Sequence, residues 1–281
     1  MSKRITMQFV KKTAKKIGKL NIKAETDIHH ENYRDKLRAM WPYGPELCSI
    51  MREEIGPRAF LKFSGGKDSI ASAILMREVF DEVVPLYLYV VPDLEFIDEA
   101  MAYYEKHLFG GRKILRAPSP AMIERMKHAT FMDPVMGKVC ACADLPIPTY
   151  EDINELVRVQ EGLPPNCYAA TGVRYQETAI RAHMIAKNGP VSHSGHQWFP
   201  IWDWSKAEVL QSIKDAGLKL SGEYSISDKS LDGLHIGYLL PIRKQFPRDW
   251  QKLLEWHPLL EVEVWRYERH GLVPDELRVT R

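Results

Sequence analysis

A single transition constrains this chain more than any other. The apolar run Arg58-Ala59-Phe60-Leu61-Lys62-Phe63 stops abruptly at Ser64-Gly65-Gly66-Lys67-Asp68-Ser69. It resumes as Ile70-Ala71-Ser72-Ala73-Ile74-Leu75-Met76, with apolar side chains at helical spacing through 70, 73, 74 and 80. Strand, glycine turn and helix therefore follow one another without a spacer. Two glycines let the backbone come close to a ligand and adopt positive φ. Successive N–H groups at the start of a helix form an anion nest, to which Lys67 adds a charge and Ser64 and Ser69 add hydroxyls. The anion expected there is phosphate or pyrophosphate. The spacing fits neither G-x-x-x-x-G-K-S/T nor G-x-G-x-x-G.

The rest of the pattern extends this unit. Residues 83–91 are a β-branched and aromatic run, as expected of a strand buried on both faces in a parallel sheet. Residues 97–108 predict a helix, 113–116 a short strand, and 121–128 a further helix opened by Pro118-Ser119-Pro120. Residues 130–148 read as a loop. A helix over 149–160 has Thr149 as its N-cap. Cys167 to Thr171 is a strand, followed by Gly172 and a helix over about 175–187. Ser205 and Glu208 match a capping box that opens another helix, and residues 218–281 read as short helices. Strands alternating with helices imply an α/β fold with a mainly parallel sheet. Its ligand site lies at the carboxyl ends of the strands.

Composition supports a globular chain: 281 residues, 45% hydrophobic and 27% charged. Wholesale disorder and low-complexity repeats are excluded. No apolar run approaches the ~20 residues of a membrane span and no signal-peptide core is present. A cytoplasmic protein without a membrane partner is the expectation. The net charge of +2 hides an asymmetry. Residues 1–23 hold eight basic side chains and no acid, leaving a net of −6 on the remainder. That arm reads either as a solvated terminus or as a nucleic-acid contact. The four cysteines, Cys48, Cys140, Cys142 and Cys167, read as reduced thiols rather than a disulfide scaffold.

The string 64–69 resembles the PP-loop of the ATP pyrophosphatase superfamily, and within it the phosphoadenosine phosphosulfate (PAPS) reductase-like family. That family includes ATP sulfurylase small subunits, FAD synthase domains and DNA phosphorothioation enzymes. Asp93-Leu94-Glu95-Phe96 is similar to its D-T-G-x-E-F-P segment. Gly172-Val173-Arg174-Tyr175-Gln176-Glu177-Thr178 resembles G-x-R-x-x-E-S/T, and Pro200-Ile201-Trp202-Asp203-Trp204-Ser205 resembles P-I-x-x-W-S/T. The resemblance spans about 58–220. It implies a twisted, five-stranded parallel sheet of the adenine-nucleotide α-hydrolase type, with helices on both faces. The domain expectation is a basic extension over 1–50, a nucleotide-binding domain over 51–220 and a helical C-terminal extension over 221–281.

The resemblance implies binding of ATP, or of PAPS, with Mg²⁺. Catalysis is assigned to Lys67, Asp68 and Arg174, and nucleotide binding to Ser64, Gly65, Gly66, Lys67, Asp68, Ser69, Asp93, Gly172, Arg174, Glu177 and Arg181. Arg174, Glu177 and Arg181 would share one helix face, with Glu177 locking an arginine that grips phosphate bidentately. Asp93 reads as a Mg²⁺ ligand or ribose contact, or as a helix N-terminal acid.

The chain also departs from the reductases. Their C-terminal E-C-G-L-H cysteine falls at Asp232 in Leu231-Asp232-Gly233-Leu234-His235, and no cysteine follows Cys167. Without a C-x-x-C pair, no four-cysteine iron–sulfur cluster is expected from one chain. Cys140 and Cys142 read as structural thiols, as sulfur carriers, or as zinc ligands with Cys167 or a histidine. His193 and His196 read as an exposed loop or as metal ligands. The Trp-rich tail, Trp250, Trp256 and Trp265, is a packing surface or a homo-oligomer contact. The leading functional expectation is an enzyme that cleaves the α–β phosphate bond of ATP and transfers the product to an acceptor, with nucleic acid one candidate. The alternatives are a sulfonucleotide reductase with a non-standard thiol and a nucleotide-sensing DNA-binding regulator.

Overall fold

The computed structural model describes residues 31–144, 146–220 and 234–270. The basic arm and Asp232 lie outside these. The described residues divide into two compact units: those within Met1–Phe63, Lys67–Leu86 and Glu155–Lys219 form the first, and those within Ser64–Gly66, Tyr87–Asn154 and Leu220–Arg281 the second.

Among the described residues, six strands form one sheet: β1 (Arg58–Lys62), β2 (Glu82–Tyr89), β3 (Leu115–Pro118), β4 (Ala169–Thr171), β5 (Val191–Ser192) and β6 (Gln197–Trp198), in the order β3-β2-β1-β4-β6-β5. β1 pairs in parallel with β2, through Phe60 opposite Val84, and with β4, through Phe60 opposite Ala169. β4 pairs in parallel with β6. The expected α/β sheet is therefore present, but with a sixth strand. β5 runs antiparallel to β6 as a hairpin whose turn carries His193 and His196. Two-residue strands carry too little periodicity to be read in sequence.

In the first unit, Phe60, Leu61, Ile70, Met76 and Trp198 are fully buried. Helix Lys67–Val79 buries residues on every side, so its apolar pattern is nearly uniform rather than striped. Helices Glu31–Arg38 and Gly44–Ile55 also belong to this unit, the latter burying Leu47, Cys48 and Met51. The expected N-terminal boundary at residue 50 falls inside that helix. In the second unit, helix Glu95–His107 has no side-chain cap of its own. Its first amides donate instead to Asp249, Glu95 N–H at 2.6 Å and Phe96 N–H at 3.2 Å. Asp249 lies on helix Pro247–Trp256, which with Ile236–Gln245 and Leu260–Arg269 makes up the C-terminal helices.

One stretch is corrected outright. Within 130–148, expected as a loop, residues Pro134–Ala143 are helical. Asp133 caps the helix by accepting from the Val135 N–H, Pro134 sits in the first turn, and Asp144 ends it in the left-handed region. Pro134 is a helix starter, since its missing N–H has no intrahelical partner to lose at that position. Among the described residues, no helix is long and apolar enough to cross a membrane.

Candidate functional site

The strand order reverses direction at β1. From it the chain moves outward to β2 and β3 on one side, and β4 lies on the other. Parallel sheets leave a crevice at such a switch point, outside the carboxyl ends of the two strands. β1 runs into the loop 64–66 and helix Lys67–Val79, and β4 runs into Gly172. The approach of these two ends is close. A Cβ on Gly172 would lie 2.6 Å from the Asp68 carbonyl carbon and 2.8 Å from the Ser69 amide nitrogen. Only glycine fits there.

Across that approach lies a three-membered charge cluster. Asp68 Oδ2 accepts from Lys67 Nζ at 2.7 Å, and its Oδ1 accepts from Arg174 Nε at 2.6 Å. Arg174 Nη1 also donates to the Trp204 carbonyl at 3.3 Å. Arg174 is only 5% exposed, so its charge is held by partners rather than by water. Lys67 and Arg174 thus both bond Asp68 at the N-terminus of a thirteen-residue helix, where the helix dipole adds positive potential. The structure brings Lys67, Asp68, Gly172 and Arg174 together.

The arrangement of the second motif differs from the sequence expectation. Arg174 is not on a helix. It is extended, at φ −123° and ψ 146°, and is followed by a single 3₁₀ turn, Tyr175–Glu177. Thr178 is again extended and caps helix Ala179–Asn188 through Arg181 N–H. The shared helix face for Arg174, Glu177 and Arg181 is thereby overturned, because the Thr178 cap resets the helix start. Glu177 pairs with the Arg181 side chain and accepts the Arg174 backbone N–H at 3.0 Å. The lock on the Arg174 guanidinium is Asp68, a contact 106 residues apart in sequence.

In the second unit, Gly65 adopts φ +74°, and the Gly66 N–H donates to Ser64 Oγ at 3.3 Å. A Cβ on Gly65 would stand 3.2 Å from Met101 Cε. Asp93 is exposed and left-handed, at φ +58°, a region aspartate tolerates better than most residues. Its carbonyl accepts from Lys252. Ser69 is buried.

Two features escaped the sequence reading. The Thr171 hydroxyl, at the end of β4, is buried without a hydrogen-bond partner. Asp203, fully buried, carries an ion pair with Arg38. The string Asp203-Trp204-Ser205 signals a helix start, and nothing local in it signals a buried charge.

The thiols separate by environment. Burial pushes the Cys167 thiol up to about 11, and pushes Cys48 higher still. Neither is a ready thiolate at neutral pH. Cys140 is buried and Cys142 exposed on helix Pro134–Ala143. Among the described residues, no group of three or more His, Cys, Asp or Glu side chains is arranged to hold a metal.

Residues 58–225 match the model of the phosphoadenosine phosphosulfate reductase domain. This chain belongs to that family. No curated protein matches it. Solved structures similar to this family member include a PAPS reductase from Candida auris in a phosphate complex, at 10% identity and TM-score 0.43, covering 70% of this chain and 91% of that one. Another is the U34-tRNA thiolase of Methanococcus maripaludis with its 4Fe-4S cluster, at 17% identity and TM-score 0.43, covering 87% and 79%. A third is the ammonia-dependent NAD synthetase of Campylobacter jejuni, at 13% identity and TM-score 0.41, covering 89% and 98%.

Proposed function

We propose that this chain binds ATP and cleaves its α–β phosphate bond, releasing pyrophosphate and transferring the adenylyl group to an acceptor. The observation that carries the reading is the Lys67–Asp68–Arg174 cluster at the meeting of the β1 and β4 ends. An acceptor oxygen attacks the α-phosphorus, the bond to the bridging oxygen breaks, and pyrophosphate leaves with the electron pair. A second nucleophile, such as an amine or a sulfur, then displaces AMP. Charge grows on the leaving pyrophosphate, and fixed cations aimed at it stabilise the transition state. We assign that work to Lys67 and the amides of the contiguous loop, with Ser64, Gly65, Gly66 and Ser69 as nucleotide contacts. Arg174 reaches a phosphate through Nη2, the guanidinium nitrogen that bonds neither Asp68 nor the Trp204 carbonyl. Gly172 admits the close approach, and Glu177 with Arg181 fixes the backbone behind Arg174.

Asp68 already divides its two oxygens between Lys67 and Arg174, so it is a poor first choice for a metal. Mg²⁺ enters such sites on substrate phosphates and needs only one or two carboxylates. The exposed Asp93 is the carboxylate we propose as a Mg²⁺ ligand or ribose contact. The ion would neutralise phosphate charge. The domain organisation we propose remains a nucleotide-binding domain between a basic N-terminal extension and a helical C-terminal one, the basic arm being a candidate contact for a nucleic-acid acceptor.

The exposed Cys142 supports a second reading, in which PAPS is reduced through a thiol. Incubation with ATP and Mg²⁺, scored for AMP and pyrophosphate, tests the first. Sulfite release from PAPS with thioredoxin would favour the second. Tight nucleotide binding with neither product would leave a nucleotide sensor.

A further inference from the structure

Asp203 takes no part in the chemistry proposed above, yet it is fully buried and charged. Its Oδ2 receives the Arg38 guanidinium, 2.6 Å from Nε and 2.6 Å from Nη2. Its Oδ1 accepts the Gly44 N–H at 3.1 Å. The neighbouring Trp202 donates its indole N–H to the Pro42 carbonyl at 2.9 Å. Arg38, Pro42 and Gly44 all precede residue 58, where the match to the reductase domain begins. The segment 202–204 is thus held in place from outside that domain.

Two carbonyls of this segment bond Arg174 and its neighbour Tyr175. The Trp202 carbonyl accepts the Tyr175 N–H at 2.8 Å, and the Trp204 carbonyl accepts Arg174 Nη1 at 3.3 Å. Two further contacts run in parallel. The Tyr33 ring lies 6.1 Å from that of the fully buried Tyr175. Arg34 bonds Glu208 at 2.6 Å, and Glu208 is the reciprocal partner of Ser205 in the cap just after Trp204. Removing one partner of a buried ion pair leaves an uncompensated charge in the interior. Losing Arg38 releases Asp203, and with it the Trp204 carbonyl that bonds Arg174 and the Trp202 carbonyl that bonds the Tyr175 N–H.

We infer that Asp203 and Arg38 are positioning residues for Arg174, and that the helical segment over 31–55 is a working part of the nucleotide site. The inference rests on the phosphate role proposed for Arg174. A pair that served only stability would lower the melting temperature and leave Arg174 as it is. A positioning pair is coupled to Arg174 itself.

The test uses the full chain and the variants Arg38→Ala, Arg38→Lys and Asp203→Asn, alone and combined with Arg174→Lys. The first readout needs no nucleotide. The Arg174 Nε–H signal in a ¹⁵N NMR spectrum, assigned by its loss in Arg174→Lys, should shift and exchange faster in Arg38→Ala, and return part-way in Arg38→Lys. The second readout is affinity for ATP with Mg²⁺, and for PAPS. Arg38→Ala should weaken it about tenfold, and adding Arg174→Lys should cost much less than it does alone, because the two act through one segment. If Arg38→Ala does not fold, Asp203→Asn, nearly isosteric and able to keep the Gly44 contact, carries both readouts. An unchanged Arg174 signal, or strictly additive losses, overturns the inference. A wild-type protein that binds neither nucleotide overturns the proposed function instead, while the NMR signal still decides whether this pair positions Arg174.

Discussion

Arg174 Nε donates to Asp68 Oδ1 at 2.6 Å, joining two motifs 106 residues apart. The bond fixes one edge of the guanidinium and leaves the other turned toward different partners. Lys67 shares the same carboxylate, so two cations are ordered around one internal anion. In the proposed nucleotide site, an incoming phosphate would meet donors already ordered, and less side-chain entropy would be lost on binding.

Replacing Arg174 by lysine keeps the charge but loses the fork. Affinity for ATP should fall by roughly 10- to 100-fold, the ~1.5–3 kcal/mol of a charge-assisted contact. Lysine retains a cation for Asp68, so the melting temperature should move only by several degrees. Isothermal titration beside thermal unfolding separates the two. A large loss of stability with normal affinity would make Arg174 a structural ion pair.

Lys67→Ala removes one cation and leaves Asp68 paired with Arg174. The fold should survive, because Asp68 keeps a partner. Pyrophosphate release from ATP should disappear, and ATP affinity should drop by about tenfold or more. Unchanged binding and turnover in a folded Lys67→Ala protein would remove the loop from the mechanism.

Much of this architecture was legible because its signals are local. The loop 64–69, the Ser205–Glu208 capping box and the Thr149 cap announce themselves within a few residues, and each is found. What could not be read is what depends on distant chain. Asp249 caps a helix from 154 residues away, and Asp68 reaches Arg174 from 106. The helix phase after Arg174 failed for a subtler reason. Thr178 is a strong N-cap, and a cap placed between Arg174 and Arg181 breaks the periodicity that would have joined them.

Gly172 is set by steric exclusion. A methyl group there meets the Asp68 backbone at 2.6 Å, and backbone cannot swing aside as a side chain can. Gly172→Ala should therefore force apart the ends of β1 and β4 and cost about 1–3 kcal/mol, the usual range for overpacking. Chemical denaturation should show it as a lowered midpoint, with nucleotide affinity reduced in parallel. A substitution without effect on either would mean that the two ends are not held as close as described.

His257 sets a pH dependence of stability. Its Nδ1–H donates to the Thr130 carbonyl at 2.9 Å, and its ring is buried. Burial, with a smaller contribution from Arg125, holds its pKa below the ordinary 6.5. The folded state then resists a proton that the unfolded state accepts. Stability from this group is complete above pH 6.5, and falls as the pH drops below that value toward the folded pKa. Melting temperatures of wild type and His257→Gln, compared between about pH 7.5 and 5.5, should show a shallower loss in the variant. Parallel slopes would rule out His257 as the source.

The two cysteines on helix Pro134–Ala143 separate the chemistries. Cys140 faces inward and Cys142 outward, so their serine variants test different things. Cys140→Ser puts a hydroxyl into an apolar site and should cost about 1–3 kcal/mol unless the hydroxyl finds a partner. Its folding must be checked before its activity is read. Cys142→Ser changes an exposed position and should leave stability within about 0.5 kcal/mol. If ATP cleavage is the reaction, both folded variants should form AMP and pyrophosphate at the wild-type rate, because no thiol attacks phosphorus in that scheme. Loss of sulfite release from PAPS in Cys142→Ser alone would instead identify an exposed nucleophile and establish the reductase reading. ATP cleavage that persists while sulfur delivery to the acceptor stops would make Cys142 a carrier, since a carrier needs an accessible thiol and takes no part in breaking the α–β bond.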